Sequence, residues 1–187
     1  MNANRSQQTV WAMVFLDRSS EESLRKFFLN VCGVNQQLIT RNMHCTIYHA
    51  RRPIAGISDT EEPISISVTG SELRMMTMTP GGENPRPDIN PSDCSIGIRI
   101  RRASGVTAPF ETLRDRFLAL ETFAVLGTRL PSNHRRSAFG ARHFQPHVKV
   151  LQAGAVSDPD LSRIGSLLRT NIPEVRFDRL VVKYRSN

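Results

Sequence analysis

With 187 residues, a net charge of +8 and a pI near 10.4, the chain is long enough to bury one core, and at 39% hydrophobic and 22% charged residues it is too apolar to be disordered. Three cysteines, Cys32, Cys45 and Cys94, without CxxC spacing exclude a disulfide framework and a cysteine zinc site, and predict a reducing, cytoplasmic setting. No apolar run approaches the ~20 residues needed to cross a bilayer, so no membrane association is expected, and the arginine-rich excess of positive charge predicts an anionic ligand.

Residues 1–8 are polar and expected to be loose. "VWAMVFLD" (10–17) is apolar on both faces and reads as a central strand; Asp17-Arg18 follows it where a signal peptide would have small residues. "SSEESLRKFFLNVCG" reads as a helix, with Ser19 and Glu22 as a capping box, Leu24, Phe27, Phe28 and Val31 as the apolar stripe and Gly33 as the stop. "HCTIYHA" (44–50) is a strand, and "ISISV" (64–68) alternates cleanly, with "ELRMMTM" (72–78) continuing it past Gly70-Ser71. "TPGGENPRPDINPSD" (79–93) holds four prolines and two glycines and is a loop. "SIGIRIRR" (95–102) alternates with Ile96, Ile98 and Ile100 inward. A second helix after Pro109 spaces Phe110, Leu113, Phe117, Leu120 and Ala124 along one side. Residues 127–146 form a long basic loop, and loops of that length are commonly functional. "HVKVLQA" is a strand, Asp158-Pro159 opens a third helix as N-cap and first-turn proline with Leu161, Ile164, Leu167 and Leu168 inward, and "VRFDRLVVKYR" is the last strand. No domain boundary interrupts 1–187. The order strand, helix, histidine-bearing strand occurs at 10–50 and again at 95–153, which predicts two related lobes.

In an extended strand, residues i and i+2 share a face. His44, Thr46 and Tyr48 are therefore expected on one side, with Cys45, Ile47 and His49 on the other, and this split argues against a metal site made from His44, Cys45 and His49. His147 and Lys149 repeat the i, i+2 arrangement in "FQPHVKV". Two histidines on one site can serve as paired acid and base, because imidazole titrates near neutral pH. A hydroxyl such as Thr46 and an ammonium such as Lys149 can hold a phosphate and the charge that develops on it. Arg51, Arg52, Arg135, Arg136 and Arg142 are candidates for a basic rim, and Tyr48 for stacking on a base. Phe144 and Pro146 are expected to fix the entry of the second strand.

The pair "HCTI" and "FQPHVKV" resembles the 2H phosphoesterase superfamily, named for two H-x-[ST] motifs, whose second motif is typically preceded by aromatic-x-Pro. The resemblance covers nearly the whole chain in its element order. It implies an α+β, bilobal fold, with two mainly antiparallel sheets around a central cleft and helices outside. It also implies a metal-independent phosphodiesterase, without cofactor or obligate protein partner, acting on 2′,3′-cyclic or 2′-5′ linkages of RNA ends or small nucleotides. His44 and His147 would be catalytic, and Thr46 and Lys149 would bind phosphate. Lys149 departs from the pattern, which has Ser or Thr there. The alternative is a protein that keeps the cleft and binds RNA or a cyclic nucleotide without turnover. The sequence leaves open which histidine is the acid and which the base.

Overall fold

A computed structural model describes residues 8–50, 53–78, 94–101, 105–126 and 144–186. The expected loop at 79–93, residues 127–143 of the expected loop 127–146, and residues 1–7 lie outside the described residues. The chain is α+β: strands β1 (Gln8–Leu16), β2 (His44–Ala50), β3 (Thr60–Thr69), β4 (Leu73–Met78), β5 (Ser95–Ile100), β6 (His147–Leu151) and β7 (Glu174–Ser186), with helices α1 (Arg18–Lys26), α2 (Ala108–Leu126) and α3 (Asp158–Asn171).

All seven strands join one antiparallel sheet in the order β3-β7-β1-β2-β6-β5-β4. This corrects the expectation of two separate sheets. The two halves merge because β2 and β6 pair at a single point, Cys45 opposite Val148. Beyond that point the segment after Asn35 takes over beside β6, with Thr40 N–H donating to Val150 O at 2.8 Å and Gln152 N–H to Leu38 O at 2.8 Å. The expected continuation of 64–68 into 72–78 also fails. β3 and β4 occupy opposite edges, joined only by the 3-10 turn Gly70–Glu72, so the sheet curls until its edges approach there. Gly70 is required at that approach: a Cβ on it would lie 1.8 Å from the Ile172 carbonyl oxygen.

One face of the sheet carries the core. Val10, Ala12, Val14 and Leu16 of β1 share a buried cluster with Leu24 of α1, Phe110 and Phe117 of α2, and Ile164 and Leu168 of α3. Burying each such side chain contributes roughly 1.5–3 kcal/mol. Phe110 meets Phe177 of β7 edge-on at 5.1 Å. The helix stripes differ from expectation in two places. α1 passes at Phe27 into a π-helical turn, Phe27–Val31, which rotates the face so that Val31 is exposed while Phe27 and Phe28 stay buried. On α2, Leu120 is exposed and Leu118 is buried instead.

The capping box at Ser19 and Glu22 is not formed. Asp17 caps α1, its carboxylate accepting from Ser20 N–H at 2.7 Å, while Glu22 pairs with Arg18 in solvent. Asp17→Ala should therefore destabilise the protein by about 1 kcal/mol, read by urea unfolding, whereas Ser19→Ala should leave the midpoint unmoved. At the start of α3, Ser157 is the N-cap and Asp158 the first helical residue, one position earlier than expected.

Candidate active site

His44 and His147 are presented alike. The Nδ1 of His44 lies 2.8 Å from the carbonyl oxygen of Asn42, and the Nδ1 of His147 lies 2.9 Å from that of Gln145. In each case the acceptor is the residue two before. A carbonyl can only accept, so Nδ1 is the donor, and the lone pair of each neutral ring is on Nε2. Local backbone explains both contacts. Asn42 takes a left-handed conformation (φ 54), and its turn is held by Glu21 of α1, whose carboxylate accepts from Asn42 N–H at 3.0 Å and Met43 N–H at 3.2 Å. On the other strand Pro146 lies between Gln145 and His147, and its carbonyl accepts from Ile100 N–H at 2.9 Å.

Cross-strand register brings the two motifs together. Cys45 faces Val148 with both side chains in the core, so His44, Thr46, His147 and Lys149 share the opposite face. Extending that register by one residue each way sets His44 beside Lys149 and Thr46 beside His147. Directly opposite Cβ atoms in such a ladder lie ~4.5–5.5 Å apart and diagonal ones ~7–8 Å. The two histidines occupy one diagonal of this square and Thr46 and Lys149 the other. All four side chains are half-buried. No family model and no curated protein matches the chain in sequence.

Burial pushes the His44 imidazole below its ordinary value, because the charged ring loses solvent; the Asn42 carbonyl opposes this and the Arg185 guanidinium adds to it. Cys45 sits between His44 and Thr46 yet faces the core, and burial pushes its thiol up to about 12, so it is no nucleophile near neutral pH.

A bulge in β2 changes the parity read from the sequence. The β1–β2 register runs Ala12 opposite Tyr48 and Met13 opposite Thr46, leaving Ile47 extra. Ile47 and Tyr48 consequently both face the core, and Tyr48 is 1% exposed and stacked on Phe117 of α2 at 5.5 Å. Tyr48 is thereby removed from the substrate rim. His49 crosses to the side of His44, where its ring lies 3.9 Å from that of Trp11. The parity argument against a metal site made with His49 no longer applies. Even so, Cys45 faces away, and among the described residues no three His, Cys, Asp or Glu side chains gather to hold a metal.

Arg51, Arg52, Arg135, Arg136 and Arg142 lie outside the described residues. Phe144 is buried, with the Arg114 guanidinium 4.6 Å above its ring, in keeping with a role in fixing the strand entry. The cations that the structure does bring to the histidine face are others. Arg179, Lys183 and Arg185 of β7 alternate with the buried Leu180 and Val182, and Arg99 of β5 stands opposite His147. The alternation in "RLVVKYR" was a legible signal for the β7 set. Nothing in the sequence marked Glu21.

Proposed function

We propose that this protein is a metal-independent phosphoesterase of the 2H type, acting on 2′,3′-cyclic or 2′-5′ phosphodiester linkages of RNA ends or small nucleotides. The observation that carries this reading is the matched pair of Nδ1–carbonyl contacts on two histidines of one sheet face, with a hydroxyl and an ammonium on the other diagonal. No comparison supplies the activity. It follows from the chemistry of these groups and from the motif resemblance.

His44 is assigned as the base for hydrolysis of a cyclic phosphate, since its burial favours the neutral ring. Its Nε2 takes a proton from water as the water oxygen attacks phosphorus. His147 supplies the proton taken up by the ribose oxygen that leaves, so one P–O bond forms and one breaks. Charge on the equatorial oxygens is met by the Thr46 hydroxyl and the Lys149 ammonium. An ammonium in the position that the family fills with a hydroxyl strengthens this contact by a full charge.

The test is turnover of 2′,3′-cyclic mononucleotides and 2′-5′-linked oligonucleotides in excess chelator. Binding of both without turnover would leave the non-catalytic reading in place. A pH profile sharpens the assignment. A lowered His44 stays neutral as pH falls until its own, depressed value is passed, so the acid limb of kcat/KM should lie below pH ~6.5. Arg185→Gln removes a positive charge that disfavours the imidazolium and should move that limb upward. An acid limb unmoved by this change would detach it from His44.

A further inference from the structure

We propose that Glu21 and Arg25 of α1 are positioning residues for His44: together they clamp the segment 40–43 and so hold the carbonyl that fixes the tautomer and aim of the ring. This rests on His44 being the base of the proposed phosphoesterase.

The need for a clamp comes from the sheet. β2 and β6 pair only through Cys45 and Val148, so little ladder fixes one histidine strand against the other. The turn that leads into β2 is itself unfavourable. Asn42, whose carbonyl accepts from His44 Nδ1, has φ 54. A left-handed residue other than glycine costs on the order of 1 kcal/mol, and such a conformation persists only where its surroundings over-determine it.

α1 supplies those surroundings. Glu21 is half-buried in its first turn, and its two carboxylate oxygens accept separately from consecutive N–H groups, Oε1 from Asn42 at 3.0 Å and Oε2 from Met43 at 3.2 Å. Hydrogen bonds to an ionised acceptor are the stronger kind. One turn further along the same helix face, the Arg25 guanidinium donates to the Thr40 carbonyl at 3.3 Å. The clamped segment is also tied to the sheet at two points. Thr40 N–H donates to Val150 O of β6 at 2.8 Å, and the Met43 carbonyl accepts from Leu16 N–H of β1 at 3.1 Å. Its position therefore bears on where His44 Nε2 lies relative to the β6 strand that carries His147, as well as on the tautomer. Glu22, the next residue, pairs with Arg18 in solvent and takes no part.

The test joins kinetics to nitrogen NMR of the imidazole, with the His44 signals assigned by their loss in His44→Ala. At a pH above its titration, the wild-type ring should be the Nδ1–H tautomer. Glu21→Ala should lower kcat for a 2′,3′-cyclic mononucleotide by about 10²-fold, the order lost when a reacting group is misplaced by ~1 Å, with KM little changed and the two tautomers of His44 mixed. Glu21→Gln leaves one acceptor oxygen for the two N–H groups, and Arg25→Met removes only the grip on Thr40. Both should fall between Glu21→Ala and the wild type, and they carry the test if Glu21→Ala does not fold. Glu22→Gln makes the same change of charge one residue on and should alter neither readout. An unchanged kcat and tautomer in Glu21→Ala would overturn the proposal. So would a loss of kcat with the tautomer kept, which would make Glu21 a support of the fold alone. If the wild type turns over no phosphodiester, the phosphoesterase reading fails, and the clamp stands or falls on the tautomer.

Discussion

His44→Ala and His147→Ala should each lower phosphodiester turnover by about 10²–10⁴-fold, the range of general acid–base catalysis. Each ring is held by a carbonyl two residues earlier, at 2.8 Å and 2.9 Å, so its Nε2 is aimed before substrate arrives. Alanine removes the proton-transferring group and leaves the backbone that positions it. The double variant should be little slower than the worse single one, because both histidines act on one transition state and their effects are not additive. Both side chains are half-buried on the polar face, so unfolding midpoints should stay near that of the wild type. If both single variants turn over substrate at the wild-type rate, the reaction takes place elsewhere.

Tyr48→Ala should destabilise the protein by about 3–5 kcal/mol. Tyr48 lies only two residues beyond Thr46 on the same strand, yet it is 1% exposed and packs its ring on Phe117 at 5.5 Å. Truncation would leave a ring-sized cavity between β2 and α2. Thr46→Ala should do the opposite, lowering turnover by about 10²-fold as the loss of one donor to the developing charge, while barely moving the urea midpoint. The contrast tests the bulge directly. A stable Tyr48→Ala protein with impaired substrate binding would mean that Tyr48 faces the substrate and that β2 carries no extra residue.

Much of the architecture was legible because it follows from local rules. Apolar runs and strict alternation marked the strands, helical spacing marked α2 and α3, and a loop at Gly33, whose φ is 68, matched the expected helix stop. The i, i+2 motifs placed His44 with Thr46 and His147 with Lys149, since period-two alternation holds over so short a span. Parity failed at Tyr48 and His49 because a bulge inserts one residue, and bulges are set by partner strands and not by the strand itself. The cap of α1 moved to Asp17 because several residues could accept the same N–H, and Asp17, whose own N–H donates to the Arg176 carbonyl at 2.8 Å, is the one in extended conformation before the helix.

By itself, then, the sequence determined which segments are strands and helices and which two histidines carry matching motifs, since side-chain periodicity and residue chemistry are local properties. Only the tertiary structure decided that β2 meets β6 at Cys45 and Val148, that all seven strands form one sheet, and that Glu21, Phe15, Arg99 and Arg179 surround the histidine pair. Those depend on which strand edges pair and in what register. Pairing satisfies backbone hydrogen bonds equally well for many sequences, and the choice among registers is made by burial summed over the whole core.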